Sequence, residues 1–164
     1  MSKPVKRRRD GSLLVKLPSA GVAMLRDALT GLEATLDPGA PEQVRLFPRA
    51  YADDADEAHF QEMTRSYLLE SKRSAIRIVG GSLDRGHRRG EIVELILAPD
   101  EVTALLGSLN DLRLVIGTLL EVTDDEQPRG LLPPDDPDAA RVNSYLWLGA
   151  VQETLLETLL EELG

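Results

Sequence analysis

The chain has 164 residues, enough to bury a core in one domain without covalent staples. It contains no Cys, which excludes within this chain a disulfide framework, a thiol nucleophile, Cys-ligated zinc and a thiol redox switch. Residues 1–90 hold 16 Lys and Arg against 12 acids and residues 91–164 hold 3 against 16, so a net charge of −9 conceals halves of +4 and −13.

Such a division can draw the halves together, or present a basic face to one partner and an acidic face to another. The overall acidity argues against nucleic acid as the main ligand, because phosphate neutralisation supplies most of that affinity. Aromatics are 4% of the chain, which favours packing of helices through aliphatic side chains. The first twenty residues carry a basic cluster without an apolar h-region, and no stretch reaches the roughly 18 apolar residues of a membrane span. A cytoplasmic protein with no membrane contact is expected.

Residues 3–17 read as a hairpin, with strands Lys6–Arg9 and Leu13–Lys16 joined at Asp10-Gly11, a favoured pair for a two-residue type I′ turn. The cations Lys6 to Arg9 suit either a nucleic-acid arm or an edge strand guarded against foreign pairing. Ala20–Leu36 places Val22, Leu25, Leu29, Leu32 and Leu36 at helical spacing, with Ser19 as N-cap. Pro41–Tyr51, with two prolines, reads as an extended connector. The acids from Asp53 start a second helix, predicted to Val79, with Phe60, Met63, Tyr67, Ala75 and Ile78 along one side until Gly80-Gly81 breaks or bends it.

Asp84–Gly90 reads as a basic loop and Glu91–Leu97 as a strand that joins the hairpin in a three-stranded antiparallel sheet. Pro99–Leu120 is a core helix by the spacing of Val102, Leu105, Leu106, Leu109, Leu112, Ile116, Leu119 and Leu120. Residues 124–136 form an acidic, Pro-rich loop. Asp136 then caps a helix with Pro137 at N1, running to Leu163. Its apolar face is wide enough to be shared with a second subunit, and Leu155, Leu156, Leu159 and Leu160 are its candidate homodimer residues.

Signals for chemistry are weak. Asp56, His59 and Glu62 share one helix face at metal-ligand spacing, but such residues near a helix N-terminus usually face water. His87, within Arg85-Gly86-His87-Arg88-Arg89, sits in a loop without the context of a P-loop. No Gly-x-Ser-x-Gly occurs and neither His stands beside a nucleophile. No enzyme activity, cofactor or metal is expected. Asn110, Asp111 and Arg113 interrupt the core helix. They either clamp it to its neighbours through hydrogen bonds and ion pairs or form the floor of a partner site.

Val44-Arg45-Leu46-Phe47-Pro48, Leu109-Asn110-Asp111-Leu112-Arg113-Leu114 with Gly117-Thr118, and Tyr145-Leu146-Trp147-Leu148 with Gln152-Glu153 resemble an actinobacterial family of domains of unknown function. The family includes the oxidative-stress transcriptional regulator AosR, and its members often lie near the gene for the ClpS adaptor. The resemblance covers nearly the whole chain. It implies a non-enzymatic transcription or stress regulator acting by protein contact on a sigma factor or RNA polymerase, without a thiol switch in this member.

The expected fold is a single α+β domain, predominantly α-helical, with four main helices and a small three-stranded sheet. Asn110, Asp111 and Arg113, with Arg85, His87, Arg88 and Arg89, are the candidate partner-binding residues. An accessory role in Clp proteolysis and direct DNA binding through the basic hairpin and loop stand as alternatives.

Overall fold

In the computed structural model, residues 3–36, 52–120 and 130–161 are described. The chain opens on two strands, β1 (Val5–Arg7) and β2 (Leu13–Pro18). Their register, Val5 with Val15 and Arg7 with Leu13, leaves more than a two-residue connection. The Gly11 amide donates to Arg8 O at 3.1 Å and the Arg8 amide to Ser12 O at 2.8 Å. The expected type I′ turn is therefore replaced by a three-residue loop, with Gly11 at φ +88°. Asp10 sets this geometry: its Oδ1 accepts from the Ser12 amide at 3.0 Å and the Ser12 hydroxyl at 2.5 Å. Those two bonds hold its carboxyl below the usual value.

Helix α1 (Ser19–Thr35) follows at once, with Pro18 rather than Ser19 in the N-cap position and Val22, Leu25, Leu29 and Leu32 buried. Helix α2 (Asp54–Asp84) begins as its acids predict, with the Asp53 carboxylate accepting from the Ala55 and Asp56 amides. It runs unbroken through Gly80-Gly81, correcting the expected end at Val79. Ile76, Val79 and Leu83 are buried on either side of the glycines, and that burial outweighs a helical Gly cost of about 1 kcal/mol each. The face expected to be apolar is turned: Met63 and Tyr67 are exposed.

Beyond α2, residues His87–Arg89 form a strand, β3, paired with β4 (Ile92–Leu97). The loop expected over 84–90 is in this part an edge hairpin closed by Gly90 at φ +63°, the first central position of a two-residue turn, where the primed turns need positive φ. The sheet thus has four antiparallel strands in the order β1-β2-β4-β3, not three. Its central ladder aligns Leu13 with Leu97 and Pro18 with Ile92. Alternation sends Val5, Leu13, Val15, Leu17, Val93, Leu95 and Leu97 into the core.

Helix α3 (Pro99–Leu119) is the central helix, in contact with α1, α2 and β4, and with α4 (Ala139–Leu160). Pro99 takes the first turn, and the Glu101 carboxylate reaches back to the Ala98 amide at 3.1 Å. By length and composition alone α3 could cross a membrane, but half of that apolar window is buried inside the protein. Helix α4 begins two residues later than Pro137 predicts, because Asp136 Oδ1 accepts from the Asp138 amide and turns the chain first. Asn143 then clamps the approach to α4, exchanging hydrogen bonds of 2.8 and 3.0 Å with the Leu132 backbone. The expected connector 41–51 and residues 124–129 of the acidic loop lie outside the described residues, as do 162–164.

Candidate functional site

The polar residues of α3 diverge, because successive helical positions turn by 100°. Asp111 points to α2. It is 8% exposed, and Lys72 Nζ stands 3.0 Å from both of its carboxylate oxygens. Burial pushes the Asp111 carboxyl above its ordinary value, and the Lys72 ammonium pulls against that shift.

Arg113 points to α4. Its guanidinium carbon lies 5.0 Å from the centroid of the buried Tyr145 ring, and Nη1 donates to Gln152 Oε1 at 2.9 Å. Gly149 makes room for it: a methyl group there would stand 3.3 Å from Nε and 3.4 Å from the guanidinium carbon. Nε is buried with no hydrogen-bond partner. Asn110 is exposed, so Asp111 and Arg113 clamp the helix and Asn110 does not.

Beside Arg113 an open groove of about 540 Å³ runs along α4, bordered by Gln152, Glu153, Leu156 and Leu160. The four leucines expected on a dimer face divide here. Leu156 and Leu160 are 43% and 59% exposed, whereas Leu155 is fully buried and Leu159 packs on the core. Leu155 therefore belongs to the interior, on the side of α4 that meets α3 and β1.

The basic segment stands elsewhere and is dispersed. Arg85 is ion-paired with Glu101 at the start of α3, and Glu101 also accepts from the Ser82 hydroxyl. Burial pushes the Glu101 carboxyl up, but the bonds from Ser82, the Ala98 amide and Arg85 win and hold it below its usual value. Arg88 Nε donates to Gly90 O at 2.9 Å, inside its own turn. Arg89 lies 3.5 Å from Glu94, and His87 stands opposite Glu94 across the β3–β4 ladder. Of the expected partner residues only Arg113 borders the α4 groove; Asp111 turns to α2, Arg85 to the start of α3, and His87, Arg88 and Arg89 lie on the β3 edge, so they do not form one site.

Lys72, Tyr145, Gly149 and Gln152 were not singled out by the sequence as a set with Asp111 and Arg113. Lys72 and Gln152 each lie 39 positions from their partner, so no local spacing links them. Among the described residues no group of three His, Asp or Glu could hold a metal ion. His59 is exposed, and the Glu62 side chain lies outside the described residues.

Comparison with known proteins adds relatives. The chain is 29% identical to the "Oxidative stress regulator AosR" of Mycobacterium tuberculosis (strain ATCC 25618 / H37Rv) over 181 residues, 92% of this chain and 78% of the relative. The same figures hold for the protein of that name from Mycobacterium bovis. A "Putative oxidative stress regulator AosR" of Mycobacterium leprae is 27% identical over 150 residues, 82% of this chain and 66% of the relative. No solved structure matches. A family model described as "Domain of unknown function (DUF2017)" matches residues 2–159, and the chain belongs to that family.

Proposed function

We propose that the protein is a non-enzymatic, cytoplasmic stress-response regulator that acts by contact with a sigma factor or RNA polymerase. The observation that carries this reading is the relation to proteins named oxidative stress regulators over 92% of the chain. The use of charge in the helix layer supports it. Lys72 engages Asp111, Arg113 engages Gln152 and Arg85 engages Glu101, so these groups join helices to one another.

With no Cys in this chain, an oxidative signal enters through the partner rather than through a thiol here. The test is co-purification of the tagged chain from its own cells at physiological salt. Recovery of a sigma factor or of core polymerase is expected, and recovery of neither overturns the reading.

A further inference from the structure

The helices cover one face of the sheet; on the other, three rows of side chains cross the strands. The ladders align Lys6, Leu14 and Ile96 in one row, Lys16, Glu94 and His87 in the next, and Pro18, Ile92 and Arg89 in the third. Ile96 is 54% exposed and Ile92 38%. A shallow hollow of about 510 Å³ lies beside Ile92, bordered by Pro4, Lys16, Pro18, Arg89 and Glu94. The three rows hold Lys6, Lys16 and Arg89 against Glu94, a net +2, so the remainder of the chain carries −11. The sheet is a basic plate with an apolar centre on an acidic body.

We infer that this face docks an acidic amphipathic helix of a partner protein. Three rows about 7 Å apart and four strands about 4.8 Å apart make a plate roughly 14 Å on each side. A helix about 10 Å wide crosses it with some three turns in contact. Leu14, Ile92 and Ile96 receive its apolar stripe, and Lys6, Lys16 and Arg89 receive carboxylates on its flanks. Glu94, the one acid in the three rows, is already drawn to Arg89 at 3.5 Å.

The same features disfavour nucleic acid. The rows contain no Phe, Tyr or Trp on which a base could stack.

The inference rests on the protein-contact reading and names the surface it uses. Its probe is a labelled amphipathic peptide of about 20 residues, Leu on one face and Glu on the other, titrated into the full chain at about 0.15 M salt. Binding is expected to weaken about tenfold in Ile96→Glu and several-fold in Lys6→Glu, and to stay unchanged in Leu156→Glu on α4. Both sheet positions are exposed, and melting curves confirm that the variants fold.

No binding of the probe, binding indifferent to Ile96→Glu, or equal binding of a peptide with Ser for Leu overturns the inference. So does displacement of the probe by duplex DNA at lower concentration. Binding that survives Ile96→Glu removes the sheet face and leaves the protein-contact reading intact. Binding at the sheet by a chain that recovers neither sigma factor nor polymerase removes that choice of partner and leaves the docking face.

Discussion

Lys72→Met strips the ammonium from Asp111 and leaves a carboxylate buried between α2 and α3. Removing one partner of a buried ion pair costs about 3–5 kcal/mol. The Lys72 and Asp111 side chains retain 21% and 12% exposure, so solvent recovers part of this and a loss of about 2–3 kcal/mol is expected. In a chain of this size that lowers Tm by about 4–12 °C.

The pH dependence is the sharper test. Burial raises the Asp111 carboxyl against the pull of Lys72, so the folded state takes up a proton before the unfolded chain does. Stability linked to this group is fully present below the ordinary carboxylate pKa and declines as pH rises through the raised value. Without Lys72 the carboxyl rises further. The deficit of Lys72→Met is therefore largest near pH 7 and shrinks towards pH 4. Adding Asp111→Asn to that variant recovers at least half of the loss at neutral pH, because the uncompensated charge is gone. Urea denaturation across this range measures both effects. A neutral-pH loss under about 0.5 kcal/mol, the size of an ordinary surface change, or a loss that does not vary with pH, refutes the argument.

Neighbouring leucines on α4 separate core from surface: Leu155→Ala costs about 2–5 kcal/mol in thermal or chemical denaturation, whereas Leu156→Ala stays within about 0.5 kcal/mol. Gly149→Ala reports on Arg113. In an Arg113→Ala background it stabilises by up to about 1 kcal/mol through helix propensity, but with Arg113 present the new methyl group crowds the guanidinium and the gain is reduced or reversed. A double-mutant cycle reads the difference, and equal effects in both backgrounds would show that the two do not touch. Glu101→Gln lowers stability at neutral pH by weakening the contacts to Ser82 and Arg85. Because the Glu101 pKa is depressed in the folded state, its contribution is present above the ordinary glutamate value and is lost as pH falls through the lowered one. The gap between variant and parent should close on acidification, which melts at stepped pH can follow.

Periodicity made the helices legible. The spacing of Val22 to Leu32 and of Val102 to Leu112, the acids after Asp53, and Pro99 at a first turn all carry local instructions that the fold obeys. The pairing of the hairpin with 92–97 was legible because a two-stranded ribbon alone is marginal. His87–Arg89 was not, since three exposed polar residues give no period; the strand exists through Gly90 and its neighbour β4. Gly80-Gly81 misled for the opposite reason, a local weakness overruled by burial of Val79 and Leu83. In the candidate site, Asp111 and Arg113 announced themselves as polar breaks in an apolar run. Lys72 and Gln152 did not, because a partner 39 residues away leaves no mark on nearby spacing. The outer face of the sheet was hidden in Ile92-Val93-Glu94-Leu95-Ile96-Leu97, where apolar residues on both sides of the pleat blur the alternation.

The alignment of Leu13 with Leu97 also sets a schedule for making the protein. On a ribosome adding about 5–20 residues per second, β2 leaves the site of synthesis some 4–17 s before the strand that completes its ladder has been made. Throughout that interval the sheet edge of β2 that later pairs with β4 is open, and its one strand neighbour is the three-residue β1. Nascent chains emerging side by side carry Lys6, Arg7, Arg8 and Arg9 at the same position, and their mutual repulsion keeps one unfinished sheet from pairing with the next.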